Sequence, residues 1–299
     1  LRVTPRPGAL NRFASSRPII TEGIVMVGSV PPIAIGGPAM LLAMIAIVAP
    51  LIVPHDPALQ DSASILQAPS TVYLFGTDRL GRDVFSRTLL GGREAMLITT
   101  LSTVFAMAWG GVLGVLVALV GGKFDAVGMR VVDALVSVPW ILLVMLFVTA
   151  LGTGTAALVP VLGFSYGLSV VYLARSAALD FVTRDFVLAA QARGDSQWTI
   201  ASRELLPNVR DSLAVQGAMQ WSWIFLAVSS LSFLGMGVAP PTPDWGQMIS
   251  DSRGIMRTAP WTVIWPMFFL SSLIIGINMA IDAWAKVLGI DRVQRTPGP

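Results

Sequence analysis

Residues 133–175, DALVSVPWILLVMLFVTALGTGTAALVPVLGFSYGLSVVYLAR, decide the fold of this chain. Between Asp133 and Arg175 lie 41 consecutive residues without a charge. As one helix at 1.5 Å per residue they would extend roughly 60 Å, about twice the hydrocarbon thickness of a bilayer. The stretch therefore holds two membrane spans. The break belongs at Gly152-Thr153-Gly154, where bulky residues give way to glycine. Spans are expected near 129–150 and 156–177.

The bulk composition agrees with that reading. Of 299 residues, 12% are charged and 54% hydrophobic, where a soluble chain carries about 25% charged residues. Mean hydropathy is +0.72. The net charge of +3 is small, so the isoelectric point of about 9.8 reflects a few arginines and does not indicate nucleic-acid binding. There is no cysteine, which excludes disulfides, thiolate metal sites and cysteine nucleophiles. Residues 1–22 hold four arginines and three prolines but no apolar core ending in a small-residue cleavage site, so no removed signal peptide is expected.

Charges elsewhere punctuate the chain, because an ion at mid-bilayer costs several kcal/mol. Counting outward from 133–175 gives further spans near 33–53, 96–120, 213–236 and 262–285. The expectation is an all-α, polytopic membrane protein with about six transmembrane helices. A tail and lead-in occupy 1–32, the transmembrane region 33–286, a polar loop 181–211 and a second tail 287–299. Six spans put both termini on one side, and fourteen of the twenty Lys and Arg residues fall on that side, which places it in the cytoplasm. The opposite face carries the long segment 54–94, whose arginines are mixed with acids.

The loop FVTRDFVLAAQARGDSQWTIASRELLPNVRD (181–211) is a polar island with helical periodicity on both sides of Gly194. Phe186, Ala189 and Ala190 share one face; Trp198, Ala201, Ser202 and Leu205 share another. Asp195 or Ser196 can cap the second helix, Pro207 is expected to end it, and Asn208 with Asp211 reads as the cap of the next span. The product is a helix, a glycine turn and a second helix, suited to docking another protein.

These residues carry a resemblance. Ala189-Ala190, three residues, Gly194 and then Leu206-Pro207-Asn208 twelve residues on resemble the EAA loop of permease subunits in bacterial ATP-binding-cassette importers. FGTDRLGRDVFSR (75–87), RVVDALVSVPW (130–140) and LSFLGMGVAPPTPDWG (231–246) look like the peptide and nickel branch of that family, in the family's order over residues 75–253. The chain departs from the pattern at Leu188, where the family usually has glutamate, and Asp282-Ala-Trp-Ala-Lys-Val-Leu matches its usual ending only loosely.

The resemblance implies a type I importer permease. The chain would move di- or oligopeptides, or alternatively nickel or another small solute. It would pair with a second homologous permease subunit, two cytoplasmic ATPase subunits holding ATP and Mg2+, and an extracytoplasmic binding protein. Phe186, Ala189, Ala190, Gly194, Trp198, Leu205, Leu206, Pro207 and Asn208 would form the ATPase coupling loop, and a bulky residue at Ala190 or Gly194 would abolish docking without unfolding the chain. Asp78, Arg82, Asp83, Pro240, Pro241, Asp244 and Trp245 would meet the binding protein. No catalytic, cofactor-binding or metal residue is expected in this chain, which has no G-x-x-x-x-G-K-[ST] phosphate loop. The translocation path would lie between spans 2 to 5 and the partner.

Two other classes are weighed on the residues. A secondary transporter would show internal repeats with paired broken helices; Pro139 and Pro160 fall in adjacent spans, but no repeat is visible. An intramembrane hydrolase lacks its residues, since there is no H-E-x-x-H, no G-x-S-x-G and no pair of mid-span aspartates. Gly110, Gly111 and Gly114 suit close helix packing, either within the chain or in a dimer. Asp133, Asp180, Asp282 and Lys286 read as snorkelling or capping residues, and the lone His55 as a span-end residue.

Overall fold

The structure, a computed structural model, describes residues 48–287. The expected first span near 33–53 and both tails lie almost wholly outside the described residues. Ten helices are used below: α1 (Val84–Leu90), α2 (Arg93–Val120), α3 (Gly122–Val136), α4 (Trp140–Leu151), α5 (Thr155–Val182), α6 (Asp185–Ala192), α7 (Gln197–Ile200), α8 (Leu206–Phe233), α9 (Trp245–Ser252) and α10 (Trp261–Val287). No strand occurs among the described residues; the one β-bridge joins Thr77 and Asp83. The chain is a polytopic helical membrane protein.

Among the described residues three apolar helical stretches are long enough to cross a bilayer: Val84–Val120, Thr155–Val182 and Trp261–Ala285. The turn between α4 and α5 falls at Gly152-Thr153-Gly154, where Gly152 and Gly154 have φ of 93° and 101°. The expected single span 129–150 is instead a broken pair: α3 and α4 meet at 81° and together can make a fourth crossing. Pro139 is the cause, because it lacks an N–H and disfavours helical backbone at Val138 before it. The fifth expected span, 213–236, lies on the 28-residue α8. Its polar first turns and Gln216 and Gln220 set it apart from the more apolar helices.

The centre of the molecule is the pair α2 and α5. Contacts rise together along the two helices, from the Thr155 hydroxyl on the Glu94 carboxylate, through Ser102 Oγ on the Val159 carbonyl (3.3 Å), to Trp109 Nε1 on the Gly163 carbonyl (3.0 Å). The helices therefore run parallel. Glycine makes their approach possible: a Cβ on Gly110 would stand 2.5 Å from the Gly167 carbonyl oxygen, and one on Gly114 2.5 Å from that of Val171. These two glycines pack inside the chain, while Gly111 faces Leu213 of α8. Small residues of this kind let helix backbones meet where lipid supplies no hydrophobic drive.

Two apolar cores sit at the two ends of this pair. One gathers Val115, Ala118, Ala174 and Ala178 with the loop residues Val187, Ala190, Ile200 and Leu205. The other gathers Ile98, Leu158, Phe225, Leu231, Trp245 and Leu273 from α2, α5, α8, α9 and α10.

Candidate coupling and translocation sites

At the first end, α6 and α7 form the loop between α5 and α8. Gly194 has φ of 81° and ends α6, and Ser196 caps α7 by accepting from Thr199 N at 3.1 Å. Pro207 does not stop the helix. From Gln197 the chain runs through a π-turn at Ala201–Leu205 into α8 without interruption. Proline cannot donate in an ordinary ladder, and a wider turn with Leu206 N on the Ala201 carbonyl accommodates it in the first turn of α8. Asn208 is likewise no cap: its Nδ2 donates back to the Glu204 carbonyl at 2.6 Å.

The structure divides the expected coupling residues into two sets. Ala190 and Leu205 are fully buried in the chain's own core, with Val187 and Ile200, so a bulky residue at Ala190 would overpack that core rather than act on a docking contact alone. Gly194 has no atom within 4 Å of an added Cβ, so substitution there strains only the turn. The exposed set is Phe186 (37% exposed), Leu188 (49%) and Trp198 (58%), with Ala189, Pro207 and Asn208 exposed beside them and Leu206 partly so. Leu188, in the family's glutamate position, thus presents an apolar side chain. A carboxylate is still available inside the loop, because Arg193 Nη2 reaches Asp195 at 2.9 Å and Glu204 at 3.7 Å.

Between this end and the middle, α3 is tied to α5 by polar contacts. Arg175 grips Asp125 with two hydrogen bonds of 2.5 and 2.6 Å, and the Tyr172 hydroxyl donates to the Asp133 carboxylate. Asp133 thus helps to tie α3 to α5.

At the far end, most of the expected binding-protein residues are interior. Asp78 (8% exposed) closes its own turn, accepting from Leu80 N, Arg82 N and Arg82 Nε at 2.8, 3.0 and 2.7 Å. Asp83 caps α1 through Phe85 N and Ser86 N. Asp244 caps α9 through Gln247 N at 3.1 Å. Trp245 is inserted between helices, donating from Nε1 to the Thr88 carbonyl at 2.7 Å and lying edge-on to Phe225. The motif 75–87 is held by α10, with Phe75 stacked on Trp265 at 3.9 Å and Trp261 Nε1 donating to the Thr77 carbonyl at 3.1 Å. Of the expected set only Pro240 and Pro241 are openly exposed; Arg82 is largely covered. A cleft of about 880 Å³ opens beside them, with Arg93, Glu94, Trp221 and Pro243 in its lining.

Sequence reasoning missed this burial, since mixed charges in a loop read as solvated, and the only available signal was the density of Gly and Asp at turn positions. Replacing Trp245 with Phe should lower thermal stability by about 1–2 kcal/mol by stranding the Thr88 carbonyl; an unshifted melting temperature would contradict that keystone role. Burial pushes the Asp244 carboxyl up to about 6, against hydrogen bonds from Gln247, Ser232 and Gly246. An unfolded carboxyl ionises near 4, so stability should fall as pH rises from about 4 to 6 and level off above. Asp244→Asn keeps the cap and should flatten that slope in a pH series of melting curves.

Residues 110–290 match the family described as binding-protein-dependent transport system inner membrane component. The chain is 32% identical to the dipeptide transport system permease protein DppC of Alkalihalophilus pseudofirmus, over 82% of this chain and 81% of that protein. It is also 32% identical to the di/tripeptide transport system permease protein DppC of Pseudomonas aeruginosa, over 85% and 87%. To the nickel transport system permease protein NikC of Escherichia coli it is 31% identical over 92% and 95%. With a match over more than half its length and relatives aligned along most of theirs, the chain belongs to the family of inner membrane components of binding-protein-dependent transport systems.

Proposed function

We propose that this chain is one half of a permease that carries di- or oligopeptides across the cytoplasmic membrane, driven by ATP that partner subunits hydrolyse. The observation that carries the reading is the loop 185–208: its base is locked into the α2–α5 core while Phe186, Leu188 and Trp198 stand out from it. A loop rigid on one side and apolar on the other is suited to receive a push from an ATPase and pass it to the spans, as coupling through a stiff two-state element requires. The positive-inside distribution supports a cytoplasmic position for this loop and both termini, and an outside position for 54–94 and 239–261. In this arrangement the assembly holds a second permease subunit, two ATPases with ATP and Mg2+, and an external binding protein that would land beside Pro240, Pro241 and the 880 Å³ cleft.

Nickel is the second reading, favoured by the nearly full-length likeness to a nickel permease. Reconstituting the five-part assembly in proteoliposomes and following an alanine tripeptide and Ni2+ separates the two. ATP-dependent tripeptide uptake that survives collapse of ion gradients is the expected result; uptake that persists without ATP would make the chain a secondary transporter.

A further inference from the structure

Between the broken pair α3–α4 and the midpoints of α5 and α8 lies a cavity of about 570 Å³. We infer that this cavity holds the backbone of the transported peptide, with Gln216 and Gln220 as its hydrogen-bonding groups; the inference rests on the peptide reading above.

Three elements arrive there at mid-length. Ser137, Pro139 and Trp140 mark the break in the 122–151 crossing, Tyr166 lies near the centre of α5, and Gln216, Gln220 and Trp223 lie near the centre of α8. Irregular backbone at membrane depth is tolerated where it lines a cavity or is covered by protein, and substrate sites in transporters are built at such discontinuous helices.

The polar groups differ in what they have left to offer. Ser137, Ser165 and Ser169 donate to carbonyls of their own helices, those of Ala134, Val161 and Tyr166, at 2.7, 2.8 and 2.7 Å. The glutamines are loosely engaged: Gln216 Nε2 reaches Gln220 Oε1 at 3.3 Å, and Gln220 Nε2 reaches the Tyr166 carbonyl at 3.4 Å. Each amide has two N–H donors and an acceptor oxygen, so Gln216 Oε1 and one N–H on each side chain stay open. Gln220 is 4% exposed, and burying an amide in an apolar region costs roughly 2 kcal/mol or more unless hydrogen bonds compensate. Paired donors and acceptors of this kind match a peptide bond.

The rest of the lining offers no ligand set for a bare metal ion. No charged side chain borders the cavity, and no cluster of His, Cys, Asp or Glu fit to hold a metal occurs among the described residues. Trp140, Tyr166 and Trp223 add aromatic faces suited to varied side chains and to a terminal ammonium. A cavity that reads backbone through amides and leaves side chains to aromatic walls passes peptides of many sequences.

The experiment uses the complete reconstituted assembly with the alanine tripeptide and Ni2+ as probes. Replacing both Gln216 and Gln220 with Leu should cut tripeptide uptake about tenfold or more, as loss of two hydrogen bonds implies, with the subunits still co-purifying as a complete assembly. Unchanged uptake in the double variant overturns the cavity assignment and leaves the peptide reading standing. A wild-type assembly that moves Ni2+ and no tripeptide overturns both. Should the double variant fail to assemble, Ser169→Cys decides instead, because the chain has no cysteine of its own. A membrane-impermeant maleimide should modify that thiol, and the tripeptide should slow the modification several-fold. A thiol that stays unmodified, as in a lipid-filled cavity, or one the tripeptide does not protect, overturns the assignment.

Discussion

Trp198→Ala is expected to release the ATPase subunits from an otherwise intact permease. The indole is 58% exposed on the same loop as the exposed Leu188 and Phe186, and is not among the residues of the loop's core. Truncating a central tryptophan at a protein interface costs about 2–4 kcal/mol, which weakens docking by roughly 30- to 1,000-fold. The permease itself should be untouched, since surface substitutions of this kind shift stability by about 0.5 kcal/mol or less. Co-purification of ATPase with detergent-solubilised permease reads the effect. Wild-type stoichiometry with the alanine variant would remove Trp198 from the docking face and leave Phe186 and Leu188 to carry it.

The second large effect concerns the fold. Gly114→Leu should prevent stable accumulation of the chain in the membrane, because its first side-chain atom would meet the Val171 carbonyl oxygen at 2.5 Å and Ala174 Cβ at 2.7 Å. Backbone cannot move aside as a flexible side chain can, so α2 and α5 must separate, and the cost should exceed the usual 1–3 kcal/mol of overpacking. Gly111→Leu is the internal comparison: its Cβ has only Leu213 Cδ1 within reach, at 3.8 Å, and it should be far better tolerated. Equal membrane levels of the two variants, measured by quantitative blotting, would contradict the packing argument.

Those glycines show what a sequence does and does not disclose. Gly110, Gly111 and Gly114 announce a close approach, but which neighbour each meets depends on the rotation of α2, and only the structure separates two contacts with α5 from one with α8. The turn at 152–154 was legible because glycine breaks an apolar run with nothing nearby to compensate. Pro139 and Pro207 were both misread, in opposite directions. Pro139 breaks a span that hydropathy draws as continuous, while Pro207 is absorbed by a π-turn that depends on hydrogen-bond register, not on residue type. The motifs 75–87 and 231–246 were visible as unusual sequence, yet the burial of the first follows from its packing on α10 and that of Trp245 from its bond to Thr88, and pairing between segments more than 150 residues apart leaves no mark in either one. Ala190 likewise shows itself as small but not as inward-facing.

The uninterrupted run from Gln197 to Phe233 makes the molecule a lever. Its length is about 55 Å at helical rise, with Trp198 at one tip and the α9 anchorage at the other. With its far end anchored against α9, a tilt of only about 5° about that end sweeps Trp198 through roughly 5 Å, the height of one helical turn. Gln216 and Gln220 sit near the midpoint, where the displacement is halved and its direction is set by the same rotation. Small rotations imposed at Trp198 would therefore arrive at the glutamines in fixed proportion and without a separate relay.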